Sequence, residues 1–307
     1  MIYIKNTLDF YVEEPTVLSL GKFDGIHRGH ELLMEKLAQK KEEGLKAAVF
    51  TFDIPPKKNV EHIDTKVLTT NEEKRHIFEE IGIDYLIECP FTMEVMQMEP
   101  EDFIRMLVEK LHVKCIVAGD DFRFGHKRRG DYKMLQKYAS VYGYEALILS
   151  KIKEDERDIS STFVREEIMA GNLEKANHLL GYRYFVSGKV KHGNRIGRTI
   201  GIPTINLIPP EEKLLPPFGV YVTEVSIDDR KYCGVTNVGR KPTIQGKNPV
   251  GVETHLLDFK EDVYDKVVVV EFRKRIREER KFSDIGCLKE QMMNDIAYAR
   301  AFFAQNR

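Results

Sequence analysis

The ten residues GKFDGIHRGH (21–30) constrain this chain more than any others, because they put glycines and two histidines where one kind of apolar pattern gives way to another. The run before them, TVLSL (16–20), predicts a buried strand. The run after them, ELLMEKLAQKKEEG (31–44), predicts a helix with Leu33, Leu37 and Ala38 at helical spacing and Gly44 as its stop. Glycines let backbone approach a phosphate closely, and the free amides of a helix start attract anions. His27 and His30 in that turn can donate hydrogen bonds to phosphoryl oxygens as charge builds up on them. A P-loop is not the pattern here, since GxxxxGK[ST] does not occur. A plain glycine-rich turn with incidental histidines gives the same local sequence, so the choice rests on the rest of the chain.

The strand-then-helix rhythm continues to about residue 150. LKAAVFTF (45–52) is followed by a helix opened by the capping box Thr70-Asn71-Glu72-Glu73, with Ile77 and Ile81 one turn apart. IDYLIEC (83–89) precedes a helix started by Glu99-Pro100, with Phe103, Leu107 and Leu111 on one face. VKCIVAG (113–119), a helix over about 132–142 and YEALILS (144–150) complete the series. Five mostly continuous apolar strands with helices between them predict an α/β doubly wound parallel sheet. Ligands of such sheets sit at the carboxyl ends of the strands. GKFDGIHRGH, TFD (51–53) and GDDFRFG (119–125) should therefore share one rim.

Two short helical stretches, SSTFVREEIMAGN and LEKANHLLG, end at Gly181. From Tyr184 the pattern turns to short strands: YFVSGKV, GVYVTEVSI, KYCGVTNVG, VETHLLDF and KVVVVEFRKRI, with Asp228-Asp229-Arg230 as a hairpin turn. Their close spacing predicts a small antiparallel β-barrel. A C-terminal helix over about 283–303 has Leu288, Met292, Ile296 and Tyr298 among its apolar positions. At 307 residues two domains are expected, 1–182 and 183–307. A 42% hydrophobic and 32% charged composition describes a soluble globular protein with apolar mass for real cores. A net charge of -1 argues against a dedicated nucleic-acid or membrane-surface binder. Cys89, Cys115, Cys233 and Cys287 are scattered with no CxxC pair, which excludes the usual zinc and thioredoxin spacings and suggests reduced packing residues. The acidic N-terminus is no signal peptide and no apolar run reaches membrane-spanning length, so the expected location is cytoplasmic.

Taken together, GKFDGIHRGH, TFD, GDDFRFGHKRRG and ISSTFVR resemble the adenylyltransferase module of the prokaryotic bifunctional riboflavin kinase/FMN adenylyltransferases, the FAD synthetase family. GKVKHGNRIGRTIGIPTINL, FGVY, GVTNVG with a following PT, and VETHLLDF resemble that family's riboflavin kinase module. The resemblance implies two ATP-dependent reactions: riboflavin to FMN in the second module, and FMN to FAD with release of pyrophosphate in the first. It implies Mg²⁺, ATP as co-substrate, and riboflavin, FMN and FAD as substrates and products. Expected partners are these small molecules, with no nucleic acid or membrane, on a monomer or weak homo-oligomer.

The same resemblance distributes roles. In the adenylyltransferase, His27 and His30 stabilise phosphates, while Gly21, Phe23, Asp24, Gly25, Ser161, Thr162 and Arg165 hold ATP. Ser161 reads equally as a simple helix cap. Asp121, Phe122 and Phe124 are the flavin-side residues; the basic run His126 to Arg129 is a solvated loop or an attractor of phosphates. In the kinase, Gly188, Gly193, Gly197 and Gly201 form a loop around phosphate, Thr204 and Asn206 of PTIN bind ATP and Mg²⁺, and Glu253 is the general base. Strand alternation puts Glu253 and His255 on one face, opposite Val252 and Thr254, without saying which face meets a pocket. Two departures from the family pattern stand out: Ile54-Pro55-Pro56 after TFD, and Asp265 where the family usually reads LYG. Asp tolerates turn conformations, so Asp265 should at most reduce or retune activity. Alternatives are a single-activity enzyme with one decayed module, a non-catalytic flavin- or nucleotide-binding regulator, and a nucleotidyltransferase for another acceptor.

Overall fold

The computed structural model describes residues 1–53, 66–193, 196–240 and 250–306. Ile54-Pro55-Pro56, Asn194, Arg195 and the PT at 242–243 lie outside the described residues. The chain forms two compact units, Met1–Ser161 and Thr162–Arg307.

The first unit holds six strands, β1 (Ile2–Lys5), β2 (Thr16–Leu20), β3 (Lys46–Phe52), β4 (Tyr85–Cys89), β5 (Val113–Gly119) and β6 (Glu145–Leu149). They make a wholly parallel sheet in the order β1-β4-β3-β2-β5-β6. Five of them are the expected ones. The sixth, β1, is an edge strand of four residues, none of them buried, with too little pattern to be read in advance. The connecting helices are α1 (Glu31–Glu42), α2 (Asn71–Ile81), α3 (Met93–Gln97), α4 (Pro100–Leu111) and α5 (Tyr132–Tyr142).

Local chemistry accounts for the helix ends. The Thr70 hydroxyl accepts from the Glu73 amide at 3.2 Å, the Glu73 carboxylate accepts from the Thr70 amide at 2.9 Å, and Gly82 closes α2 at φ 85°. The apolar stripe of α2 differs from expectation: Ile81 is exposed, and Phe78 joins Ile77 in the core together with the buried Lys74. From β2 the chain winds to one side through β3 and β4, then returns to the other side of β2 for β5 and β6. The switch point thus lies at the carboxyl ends of β2 and β5, where open α/β sheets bind ligands.

The second unit opens with α6 (Ser161–Ala170, from the end of the first unit) and α7 (Leu173–Leu180). The Asn177 amide donates to the Phe272 carbonyl at 2.9 Å, and its Oδ1 accepts from the Tyr184 amide at 2.7 Å, so α7 is fastened to the strands that follow it. Those strands are β7 (Phe185–Lys189), β8 (Ile205–Leu207), β9 (Gly219–Ile227), β10 (Arg230–Arg240), β11 (Val250–Leu256) and β12 (Val267–Glu278). A short helix, α8 (Ile196–Thr199), precedes β8, and α9 (Ile285–Gln305) follows β12.

The sheet is antiparallel in the order β7-β12-β9-β10-β11-β8. A bridge from Lys191 to Asn206, with the Lys191 amide 2.8 Å from the Asn206 carbonyl, nearly closes it into a barrel. Asp228 and Asp229 form the two-residue turn between β9 and β10, at φ 46° and 63°. Inside the barrel the hydroxyls of Thr223, Thr236 and Thr254 run in a chain at 2.7 and 2.8 Å, which satisfies three buried polar groups without water. On α9, Leu288, Met292 and Ile296 are half-buried, whereas Tyr298 is exposed and Ala299 takes the core position.

Candidate active sites

The turn after β2 is held in an unusual backbone. Phe23, Gly25 and Ile26 have φ of 48°, 88° and 32°, a left-handed run that only tertiary anchoring sustains. Asp24 supplies the anchor: its Oδ1 accepts from the amides of Leu68 at 2.7 Å and Thr69 at 3.2 Å, and its carbonyl accepts from the Ser161 hydroxyl at 2.7 Å. The Thr69 hydroxyl in turn accepts from the Gly25 amide at 3.1 Å. Phe23 is buried, with its ring 5.2 Å from that of His30 and 5.5 Å from that of Phe78. Gly21, with its amide donating to the Phe50 carbonyl, leads the turn off the sheet.

The two histidines stack, ring centroids 4.0 Å apart and planes 22° apart. Burial pushes the His27 pKa down to about 4, with the nearby Lys151 charge adding to the effect. Burial, and then the neighbouring His27, holds His30 well below the usual histidine range. Both rings are therefore neutral at pH 7. Each Nδ1 is buried without a hydrogen-bond partner among the described residues. A buried N–H left unpaired is costly, which favours the tautomer carrying the proton on Nε2.

The residues expected on the flavin side separate. Phe124 packs in the core against Phe103, 5.6 Å between centroids, while Phe122 is only half-buried and stacks on Phe124. Asp121 is exposed and paired with Lys151 at 3.0 Å, and Lys151 also reaches Asp158 at 3.5 Å. Arg28 pairs with Glu154 at 3.3 Å, on the small hairpin of Lys153–Glu154 and Arg157–Asp158. Ser161 starts α6; Thr162 and Arg165, in its first turns, fall in the second unit. The sequence reading missed Lys74, which is fully buried beside the buried Glu88, its Nζ without a hydrogen-bond partner among the described residues. A charged residue at the start of the stripe Lys74, Ile77 and Phe78 was the available signal.

In the second unit, Glu253 and His255 are half-buried while Val252 and Thr254 face the barrel core. The Glu253 face borders a cavity of about 320 Å³. Its lining mixes polar and charged side chains, among them Thr204, Asn206, Glu253, Arg277 and Glu279, with the apolar Val220, Val235, Leu288, Met292 and Ile296. The Thr204 hydroxyl donates to Glu253 Oε1 at 2.9 Å, and the Asn206–Glu253 register pair places Asn206 beside both. Gly193 faces the Asn206 side chain so closely that a Cβ would sit 2.5 Å from its Nδ2. At Gly197 a Cβ would sit 2.2 Å from the Ile202 carbonyl oxygen. Gly201 takes φ 79°, and Gly188 has ordinary room for a Cβ, so steric need singles out three of the four expected glycines.

The α9 wall is fixed by Asp295, which is buried and takes Arg277 through Nε at 3.0 Å and Nη2 at 2.8 Å. A second cavity of about 340 Å³ adjoins the first at Thr204, with Val190, Leu256, Phe259, Val263 and Tyr264 among its lining. Asp265 stands at φ 63° with its amide on the Val190 carbonyl, so the turn at the departure from LYG is intact.

A family model described as FAD synthetase matches residues 10–163, and one described as riboflavin kinase matches residues 180–303. The bifunctional riboflavin kinase/FMN adenylyltransferase of Escherichia coli (strain K12) is 38% identical over 298 residues, 95% of this chain and 94% of the relative. That of Bacillus subtilis (strain 168) is 36% identical over 299 residues, 95% of this chain and 94% of the relative. Among solved structures, one described as a macrolide-efflux protein from Streptococcus pneumoniae aligns with a TM-score of 0.85 at 31% identity, over 97% of this chain and 98% of that one. Efflux is said of that protein; here no helix among the described residues is long and apolar enough to cross a membrane. The tandem of matches follows the tandem of folds, and the chain is a transferase belonging to the bifunctional riboflavin kinase/FMN adenylyltransferase family.

Proposed function

We propose that the second unit phosphorylates riboflavin with Glu253 as the general base, and that the first unit adenylylates FMN with His27 and His30 as neutral phosphate donors. The contact that carries this reading is the 2.9 Å hydrogen bond from Thr204 to Glu253 on a cavity that also presents the apolar side chains of Val220, Val235, Leu288 and Met292. The flavin ring suits these apolar side chains, and its ribityl 5′-hydroxyl then meets the carboxylate. That hydroxyl is neutral and must lose a proton as its oxygen bonds to the γ-phosphorus and ADP departs, which is the task of a base in hydrogen-bond reach. The adjoining cavity, which shares Thr204 and sets Val190, Leu256, Phe259 and Tyr264 beside the polar Lys260, Glu261 and Asp262, suits the adenine of ATP.

For Mg²⁺ the donor set fits: the Thr204 hydroxyl and Asn206 amide oxygen are hard ligands, and no cluster of three His, Cys, Asp or Glu able to cage a metal occurs among the described residues. Bound there, the ion would neutralise charge on the ATP phosphates. Gly188, Gly193, Gly197 and Gly201 would give the phosphates a close backbone.

The acceptor in the first unit is a phosphate ester, already anionic, so no base is required. Its oxygen bonds to the α-phosphorus of ATP as pyrophosphate leaves, and the work is positioning and charge stabilisation. Paired Nε2–H donors beside an anchored, glycine-bearing turn answer that need, with Phe122 and Asp121 on the flavin side. The kinase residues all lie in 183–307 and the histidine turn in 1–182, so these ranges describe the functional modules. Reduced, scattered cysteines suit a cytoplasmic enzyme acting as a monomer or weak homo-oligomer.

Purified protein with riboflavin, ATP and Mg²⁺, followed by chromatography of FMN and FAD, tests the assignment. Glu253→Gln should abolish FMN formation and leave FMN-to-FAD conversion, and His30→Ala should do the reverse. Loss of both activities in either folded single variant would overturn the division of labour.

A further inference from the structure

Glu253 is not the only residue of β11 that grips the PTIN segment. The His255 Nδ1, two residues along on the same face, lies 2.8 Å from the Pro203 carbonyl oxygen. A carbonyl can only accept, so Nδ1 carries the hydrogen. The register between β8 and β11 begins at Ile205 opposite Thr254, which leaves Pro203 and Thr204 just ahead of the first paired residue. Proline has no amide N–H to offer a neighbouring strand. Two side chains of β11 therefore act on this dipeptide: His255 holds the peptide that joins Pro203 to Thr204, and Glu253 accepts from the Thr204 hydroxyl.

We propose that His255 is a positioning residue for riboflavin phosphorylation, fixing the Pro203–Thr204 peptide so that the Thr204 hydroxyl and the Glu253 carboxylate stay in register. This rests on the reading of Glu253 as the base. With the His255 contact gone, the Thr204 peptide regains torsional freedom and one oxygen of Glu253 loses its fixed donor. Misplacement of that order is felt in the rate of the chemical step rather than in flavin binding.

The test uses the full-length protein, with its thermal melt as a check on folding. His255→Ala should lower kcat for riboflavin phosphorylation about 10-fold or more. Riboflavin affinity, read from quenching of flavin fluorescence, should stay within about twofold. His255→Asn should recover most of the rate, because its Nδ2 takes the place of the imidazole Nδ1, and His255→Gln should not. In a Thr204→Ala background, His255→Ala should add little, since both changes break the same linkage. The proposal is overturned if His255→Asn is as slow as His255→Ala, if the two changes multiply independently, or if riboflavin binding falls in step with kcat. A Glu253→Gln enzyme at full speed would instead remove the base assignment, whatever the His255 series gives.

Discussion

Gly29 has no room for a side chain: a Cβ there would lie 2.8 Å from His27 Nδ1 and 2.8 Å from the Ile159 carbonyl oxygen. The second glycine-histidine step of the turn thus exists to bring backbone and imidazole together, independently of any phosphate. Gly29→Ala should destabilise the protein by about 1–3 kcal/mol and depress FMN-to-FAD conversion while riboflavin phosphorylation continues; thermal melts and the two chromatographic assays check it. The buried imidazole beside it has a pH consequence. With a folded pKa of about 4 against the ordinary 6.5, His27 takes up its proton more readily in the unfolded chain. Its neutral burial is free of penalty above pH 6.5, and stability is lost as pH falls from 6.5 to about 4. The loss reaches roughly 3 kcal/mol at most. Urea midpoints at pH 7.5 and 4.5 should differ less in a His27→Asn variant; an unchanged difference would show that His27 is not responsible.

Turns and strands show how far the elements could be read from sequence alone. The capping box at Thr70, the Glu99-Pro100 helix start and the barrel strands carry their signals within a few residues, and each appears where those signals put it. Strand β1 has no such signal and depends on its pairing with β4, while the five-residue α3 has only the Thr92 cap, whose hydroxyl accepts from the Val95 amide at 3.4 Å. The candidate sites divide in the same manner. His27, His30, Thr204 and Glu253 stood out by motif, but the Lys151 pairs, the His255 grip and the Arg277–Asp295 tie join segments far apart in sequence. Asp265 lies between these cases: its departure from the family pattern was visible, and its left-handed φ of 63° explains why glycine is favoured there. Asp265→Gly should raise stability by about 0.5–1 kcal/mol, measured as a denaturant midpoint, and leave the turn and riboflavin phosphorylation in place.

At the scale of the whole molecule, the functional boundary proposed for the kinase and its folding boundary do not coincide. The site residues proposed for it all lie beyond Arg183, yet its compact unit begins at Thr162. Helix α7 explains the difference. Leu173, Ala176, Leu179 and Leu180 are buried to 2% exposure or less, and Asn177 hydrogen-bonds both Tyr184 and Phe272. Three buried leucines at about 1.5–3 kcal/mol each are a large share of the roughly 5–15 kcal/mol that holds a domain folded. A fragment of residues 183–307 discards them and uncovers the apolar surface they meet, including the strand that carries Phe272. The matched family region, which starts at residue 180, would by itself recommend such a cut. We expect the fragment 162–307 to melt cooperatively and phosphorylate riboflavin, and the fragment 183–307 to melt many degrees lower or to aggregate. Equal melting temperatures for the two would mean that α7 belongs to the barrel in sequence only, and that its leucines contribute nothing to holding the kinase together.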